Sequence, residues 1–234
     1  MLALVPARKG SKGLKDKNIK VLFGKPLIVW TLEALLKSKN ITEIIVSTDD
    51  PRIIDICKNM KIDVPFIRPA YLAQDNTAAI NVYEYTLDML NKNRKEKINE
   101  FLVALPTSPL RSFSHVDDAI MLYRKKKAEA LISCTQLEFP NEWILNMDKS
   151  NFLKLPLNKN ILKKKIINRQ LLSKNYIPNG AIYILKLNNI KKNKSYYSEK
   201  TFLHVMDRIS SIDIDDLADF EYAEFLIKRR YKTL

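Results

Sequence analysis

Short aliphatic runs rich in β-branched residues recur along this chain, and each early run is followed by a segment whose apolar residues have helical spacing. That alternation decides the fold class. Residues 2–6 read as a strand and 27–36 as a helix through Leu27, Trp30, Thr31 and Leu35. Residues 43–48 form the next strand. Asp49-Asp50-Pro51 then supplies an N-cap with proline at the first helical position, ahead of a helix over 53–60. An extended piece at 64–68, a helix over 78–90, a strand at 101–105, a helix over 115–126 and a strand at 130–135 continue the series. Such units predict an α/β, Rossmann-like domain: a mostly parallel sheet with helices on both faces. The rhythm breaks over about 137–178, where Lys and Asn are frequent, and this stretch is expected to be an inserted excursion serving as a dimer arm (about 137–175) of one 1–234 domain. Strands at 181–185, 204–206 and 212–214 and a helix over 217–230 resume the pattern.

With 234 residues, 46% of them hydrophobic, the chain has the apolar material for one real core. Its apolar stretches, such as 44–46 and 102–105, fall far short of the roughly 20 residues of a membrane span. The apolar start, 1–7, is cut by Arg8, Lys9 and Lys12, so a cytoplasmic protein is expected. Cys57 and Cys134 lack the spacing of a metal knuckle or redox pair and read as buried thiols. A net charge of +14 raises nucleic acid as a partner, but Lys outnumbers Arg 30 to 10, which favours a solvated surface over forked recognition of bases and phosphates. The charge is also segregated. Residues 151–200 hold 12 basic residues against Glu199 alone, whereas 201–234 hold seven acids, a layout suited to a small anionic substrate.

Of only four glycines, Gly10 and Gly13 fall in the basic segment 6–18, directly after the first strand. Open α/β sheets bind ligands beyond the carboxyl ends of their strands, and glycines there let backbone N–H groups approach a phosphate. The segment is neither a P-loop nor GxGxxG, so phosphate binding stands beside the alternative of a solvated basic turn. Pro106-Thr107-Ser108-Pro109-Leu110-Arg111 makes a stiff polar turn after the fourth strand: site lining, or a capped turn before the next helix. Arg68-Pro69 is a third basic loop at that edge. Strand alternation would put Asp213 and Asp215 on one face, able to hold one hard cation, Mg²⁺ being the natural one. Alternatively, Asp215 or Asp216 caps the last helix. His115 and His204 share no ligand spacing and read as structural.

Ala7 to Leu14, Lys17-Asn18, Ser47-Thr48-Asp49, Arg68-Pro69, Pro106 to Arg111, Asn179-Gly180-Ala181-Ile182-Tyr183 and Ser211 to Asp215, in this order, resemble the acylneuraminate cytidylyltransferases, which include the CMP-sialic acid synthetases. The resemblance covers about 2–230. It implies a nucleotide-diphospho-sugar transferase fold and a CTP-dependent reaction in which the anomeric hydroxyl of a 2-keto sugar acid attacks the α-phosphate and pyrophosphate leaves. It also implies that Arg8, Ser11, Lys12, Lys17 and Asn18 hold the triphosphate, with Lys17 the most critical cation, and that Arg68 lies against the nucleotide. Asp213 and Asp215 would bind Mg²⁺. One of those two, or a metal-bound hydroxide, would take the sugar proton, and Arg8, Lys17 and Asp213 would be the catalytic set. Arg169 matches an arginine near the sugar, and Tyr183, Tyr196 and Tyr197 match aromatic positions of its pocket. The family is typically a homodimer.

The family's Leu-Gln-Pro-Thr-Ser-Pro is Ala104-Leu105-Pro106-Thr107-Ser108-Pro109 here, so Leu105 replaces a glutamine associated with sugar hydroxyls. Ala79 likewise stands where some members carry a hydroxyl. The loss of the amide weakens the case for N-acetylneuraminate itself and suits a sugar with a deoxy or N-acyl group there, so the sugar is expected to be either N-acetylneuraminate or a legionaminate-type analogue. The competing readings are a cytidylyltransferase for 3-deoxy-manno-octulosonate or pseudaminate, a basic nucleic-acid-binding module, and an inactive scaffold of the same fold.

Overall fold

A computed structural model describes residues 1–139, 144–154 and 173–232. The first unit is β1 (Leu2–Pro6), a basic loop, a two-residue hairpin β2 (Val21–Leu22) and β3 (Lys25–Pro26), and α1 (Leu27–Lys37). Phe23 and Gly24, both at positive φ (44° and 83°), make the hairpin turn. Then come β4 (Glu43–Ser47), α2 (Pro51–Asn59), α3 (Ala79–Lys92), β5 (Glu100–Val103), α4 (Phe113–Lys126) and β6 (Ala130–Gln136). The short antiparallel pair β7 (Asn146–Met147) and β8 (Leu153–Lys154) precedes β9 (Tyr176–Lys186), α5 (Leu187–Asn193), β10 (Thr201–Val205) and α6 (Leu217–Lys232).

The main sheet runs β10-β6-β9-β5-β1-β4. All its pairings are parallel except those of β9, which is antiparallel to both β5 and β6. Period-two alternation splits the core between the two faces of the sheet. Ala3 and Val5 of β1 pack with Ile28 and Leu32 of α1, Ile53 of α2 and Val116 and Ile120 of α4. Leu2 and Leu4 face the other way, toward Ile80, Tyr83 and Leu87 of α3 and Leu187 and Ile190 of α5. A third cluster joins Leu14, Leu22 and Leu27 to Ile214 and to Phe220, Ala223 and Ile227 of α6. The N-cap at Asp50 forms as expected, its side chain accepting from Arg52 N at 3.0 Å with Pro51 at the first helical position. Ser112 caps α4, with His115 completing a capping box, which gives that histidine a structural role.

The chain departs from the sequence reading in several places. Residues 212–214 are not a strand: after a turn at 208–211 the chain crosses the strand ends, and Ile214 N donates to Thr107 O of a loop at 2.9 Å. Residues 63–68 meet the sheet only through isolated bridges, Ile45 to Asp63 and Thr48 to Ile67, instead of forming a strand at 64–68. The strand expected at 181–185 extends back to Tyr176, and the one at 204–206 is Thr201–Val205. Helix α5 has just two buried apolar residues, Leu187 and Ile190, too few for a periodic signal. The expected arm, about 137–175, falls largely outside the described residues.

Candidate active site

Five parallel strands end at one edge of the sheet, and the antiparallel β9 begins there, so their loops converge. The basic loop leaves β1 at Ala7, whose N–H donates to Ser47 O at the end of β4 (2.9 Å). Gly10 turns at φ 71°, a left-handed conformation that glycine adopts without a Cβ penalty. Lys9 N then donates to Asp49 Oδ1 at 2.7 Å, and Asn18 Nδ2 donates to Arg8 O at 3.1 Å, so Asn18 shapes the loop from within. Arg8 and Lys12 both reach Asp75, at 2.5 and 3.2 Å. Ser11 lies partly exposed in the same loop.

The acidic segment meets this loop directly. Gly13 has no room for a side chain: a Cβ there would lie 2.2 Å from Asp215 O. Lys17 Nζ donates to Ile214 O at 2.6 Å and pairs with Asp215 Oδ1 at 3.4 Å, with its own side chain only 11% exposed. Buried Ile214 anchors the segment, and Asp213 and Asp215 on either side of it present their carboxylates outward. The backbone that carries the two aspartates is irregular and is pinned at Ile214. Asp213 sits close among protein atoms although solvent reaches it. Lost hydration pushes its pKa up, a hydrogen bond from Thr107 opposes this, and the Asp215 charge adds to the rise. A Cβ on Gly180, which has φ 73°, would lie 3.1 Å from Asp213 Oδ2.

Asn179, 5% exposed, organises this corner. Its Oδ1 accepts from Ser133 Oγ (2.6 Å) and Ala181 N (3.2 Å), and its Nδ2 donates to Ser211 Oγ at 2.9 Å. Arg111 is fully buried and its Nη1 donates to Leu105 O and Ala181 O at 3.1 and 2.9 Å, tying the end of β5 to β9. It makes no ion pair with a carboxylate among the described residues, and burial lowers its pKa to about 9. Arg68 is also buried, its guanidinium bonded to Ser47 O and Oγ, so it buttresses the end of β4; burial brings its pKa down to about 10.

On the other side of Asp213, Leu105 and Tyr183 pack against the α3 face of the core. Leu105 Cδ1 is 3.5 Å from where a Gly180 Cβ would stand. The Tyr183 and Tyr196 rings lie 5.3 Å apart, and Tyr196 is hydrogen-bonded to buried Tyr83. Burial, chiefly, raises the Tyr183 phenol to about 12, so all three rings stay neutral near pH 7. Tyr197 is exposed. Arg169 lies outside the described residues.

The structure therefore brings Arg8, Ser11, Lys12, Lys17, Asn18, Asp213, Asp215, Leu105, Tyr183 and Tyr196 to one edge. Thr107, Asp75, Tyr83, Asn179 and Arg111 join them without having been singled out individually. Thr107, Asn179 and Arg111 lie within recognised motifs, whereas Asp75, in an ordinary polar turn, had no signal.

Residues 2–231 match the sequence profile of a family described as Cytidylyltransferase. The N-acylneuraminate cytidylyltransferase of Escherichia coli O18:K1:H7 (strain RS218 / NMEC) is 32% identical over 227 residues, 95% of this chain but 51% of that protein, so this chain spans about half of that relative's length. The CMP-N,N'-diacetyllegionaminic acid synthase of Legionella pneumophila subsp. pneumophila (strain Philadelphia 1) is also 32% identical, over 100% of this chain and 99% of that protein. The solved structure of CMP:2-keto-3-deoxy-manno-octonic acid synthetase complexed with CTP has the same fold, with a TM-score of 0.67, 15% identity and 98% of both chains covered. The chain belongs to the cytidylyltransferase family.

Proposed function

We propose that this protein activates a nonulosonic, sialic-acid-like 2-keto sugar acid as its CMP-sugar, for surface glycan synthesis. The observation that carries the reading is the junction at Gly13 and Lys17, where a basic loop touches the segment that carries Asp213 and Asp215 at the ligand edge of the sheet. A displacement at phosphorus asks for positioning and charge neutralisation, and these are the groups that supply them. Arg8, Ser11, Lys12 and Lys17 take the triphosphate, Asn18 keeps the loop in shape, and Arg68 supports the nucleotide from behind Ser47. The anomeric oxygen of the sugar forms the new bond to the α-phosphorus as the bond to pyrophosphate breaks.

Two oxygen-ligand carboxylates, backed by Thr107, fit Mg²⁺, which is commonly held by one or two carboxylates together with substrate phosphates. Bound there, the metal would neutralise charge developing on the phosphates. Asp213 or Asp215 would receive the sugar proton.

Leu105 and the tilted Tyr183–Tyr196 pair give the sugar side an apolar wall suited to acyl groups, which favours a legionaminate-type sugar alongside N-acetylneuraminate, and the similarity to the Legionella protein supports that choice. A homodimer fits the apolar side chains exposed around the excursion, among them Phe139, Leu145, Met147, Phe152 and Ile177. We place the protein in the cytoplasm, in keeping with two buried free thiols and no helix, among the described residues, long and apolar enough to cross a membrane.

The test is pyrophosphate release from CTP and Mg²⁺ with N-acetylneuraminate, legionaminate, pseudaminate and 3-deoxy-manno-octulosonate. Release with a nonulosonate, lost in Lys17→Ala and Asp213→Ala, is expected. Folded protein that neither binds CTP nor releases pyrophosphate, but binds DNA with steep salt dependence, would refute the proposal.

A further inference from the structure

Asp75 stands against the phosphate loop. It follows the 3₁₀ turn Ala70–Leu72, and its carboxylate pairs with Arg8 Nη2 at 2.5 Å and with Lys12 Nζ at 3.2 Å. Arg8 Nη1 also reaches Ala73 O at 3.5 Å, and Thr77 Oγ1 donates to Tyr71 O at 3.0 Å, so residues 71–77 form a closed loop fastened to Arg8. The side chains of Arg8, Lys12 and Asp75 are 31%, 77% and 39% exposed. Ion pairs this wet are weak and exchange partners readily.

Both cations are ones that the proposed function gives to the triphosphate, and the inference rests on that reading. One carboxylate spanning two phosphate-binding cations stands where a phosphate oxygen would. We propose that Asp75 is a built-in counter-anion: CTP binds by exchanging Arg8 and Lys12 from Asp75 to its phosphates, and Asp75 thereby sets the affinity for polyphosphate. The exchange runs toward nucleotide because a triphosphate brings several negative charges against the single charge of Asp75. Asp75 is the ionised partner throughout the neutral range, since the Lys12 ammonium, and then the Arg8 guanidinium, hold its carboxyl below the usual aspartate range. In the absence of nucleotide the same contact keeps Arg8 folded onto its own loop and shields two closely spaced cations from stray anions.

Calorimetric titration of the full chain and of Asp75→Asn, an isosteric neutral variant, tests this. The probes are CTP with Mg²⁺, inorganic tripolyphosphate without metal, and cytidine. The variant is expected to bind CTP and tripolyphosphate about three- to tenfold more tightly, the loss of two exposed ion-pair competitors, with no change for cytidine. The gain should shrink as salt is raised. Equal or weaker binding of tripolyphosphate by Asp75→Asn, with CTP still bound by the wild type, would overturn the counter-anion and leave Asp75 to orient Arg8. Wild-type protein that does not bind CTP would instead overturn the nucleotidyltransferase reading. Asp75→Ser should shift affinity in the same direction, and thermal melts establish that both variants are folded.

Discussion

Alanine at position 13 is the most informative single change, because it adds one methyl group at the junction of the two halves of the site. The new Cβ would lie 2.2 Å from Asp215 O, a backbone atom, and real Cβ atoms keep at least 3.0 Å from such a neighbour. Ordinary contact distances therefore require the basic loop and the aspartate segment to part by about 1 Å. Forcing a methyl into a packed contact costs about 1–3 kcal/mol, which in a domain of this size lowers Tm by roughly 3–10 °C. The larger effect falls on chemistry. Lys17 Nζ loses its 2.6 Å bond to Ile214 O, and the cations move away from Asp213 and Asp215, a displacement that costs about 100-fold in kcat. Steady-state pyrophosphate release gives kcat, and calorimetry gives Tm. Gly10→Ala is the control: Gly10 has φ 71° but nothing within 4 Å of its Cβ position, so it bears about 1–2 kcal/mol of backbone strain and should keep kcat within about threefold. Equal kcat in Gly13→Ala and wild type, or equal losses at positions 10 and 13, would refute the steric argument.

Three further outcomes are expected. Leu105→Gln should shift the ratio of kcat/KM for N-acetylneuraminate over legionaminate by roughly tenfold toward the former, read from competition between the two sugars. Asn179→Ala leaves the buried Ser133 hydroxyl proton without its acceptor and removes the tie to Ser211 Oγ, should cost about 1–3 kcal/mol in urea unfolding, and should raise the Mg²⁺ needed for half-maximal activity because the 206–211 turn no longer fixes Asp213. Asp50→Ala removes a helix cap and an ion pair with Arg52, worth about 1 kcal/mol at pH 7. The hydrogen bond from Arg52, the largest cause, holds the folded-state pKa of Asp50 below its unfolded value. The charge-dependent part of that stability is complete above the unfolded value of about 3.9 and disappears as pH falls through the folded one, so the acid unfolding curves of variant and wild type should begin to approach each other only below about pH 4 and lie closest once pH is under the folded-state pKa.

The parallel architecture was legible because β1, β4, β5 and β6 are each buried on both faces and leave unbroken apolar runs. Edge strand β10 was misplaced by three residues at its start since Leu203 and Val205 point to solvent, and alternation there carries no burial information. Asp213 and Asp215 were found by a period-two argument that the backbone does not obey. What holds their segment at the ligand edge is Ile214 bonding to Thr107, a contact 107 residues away that no local pattern encodes. Arg68 and Arg111 illustrate a different limit. Their spacing in the sequence places them at the ligand edge, yet both are buried and bonded to backbone carbonyls, because a guanidinium can satisfy main-chain acceptors as well as a phosphate.

The ladder between β6 and β9 closes at Gln136 and Tyr176, with Leu137 N donating to Asn175 O at 2.8 Å just beyond it. The chain therefore departs from the ligand edge and returns to it through one fixed doorway, independent of how many residues lie between. Closing a longer connection costs little, about 0.6 kcal/mol for each doubling of its length. Proteins built on this scaffold can thus lengthen, shorten or rewrite that connection without disturbing a single register in the sheet. The connection is free to diverge while the sheet that anchors its two ends is inherited intact.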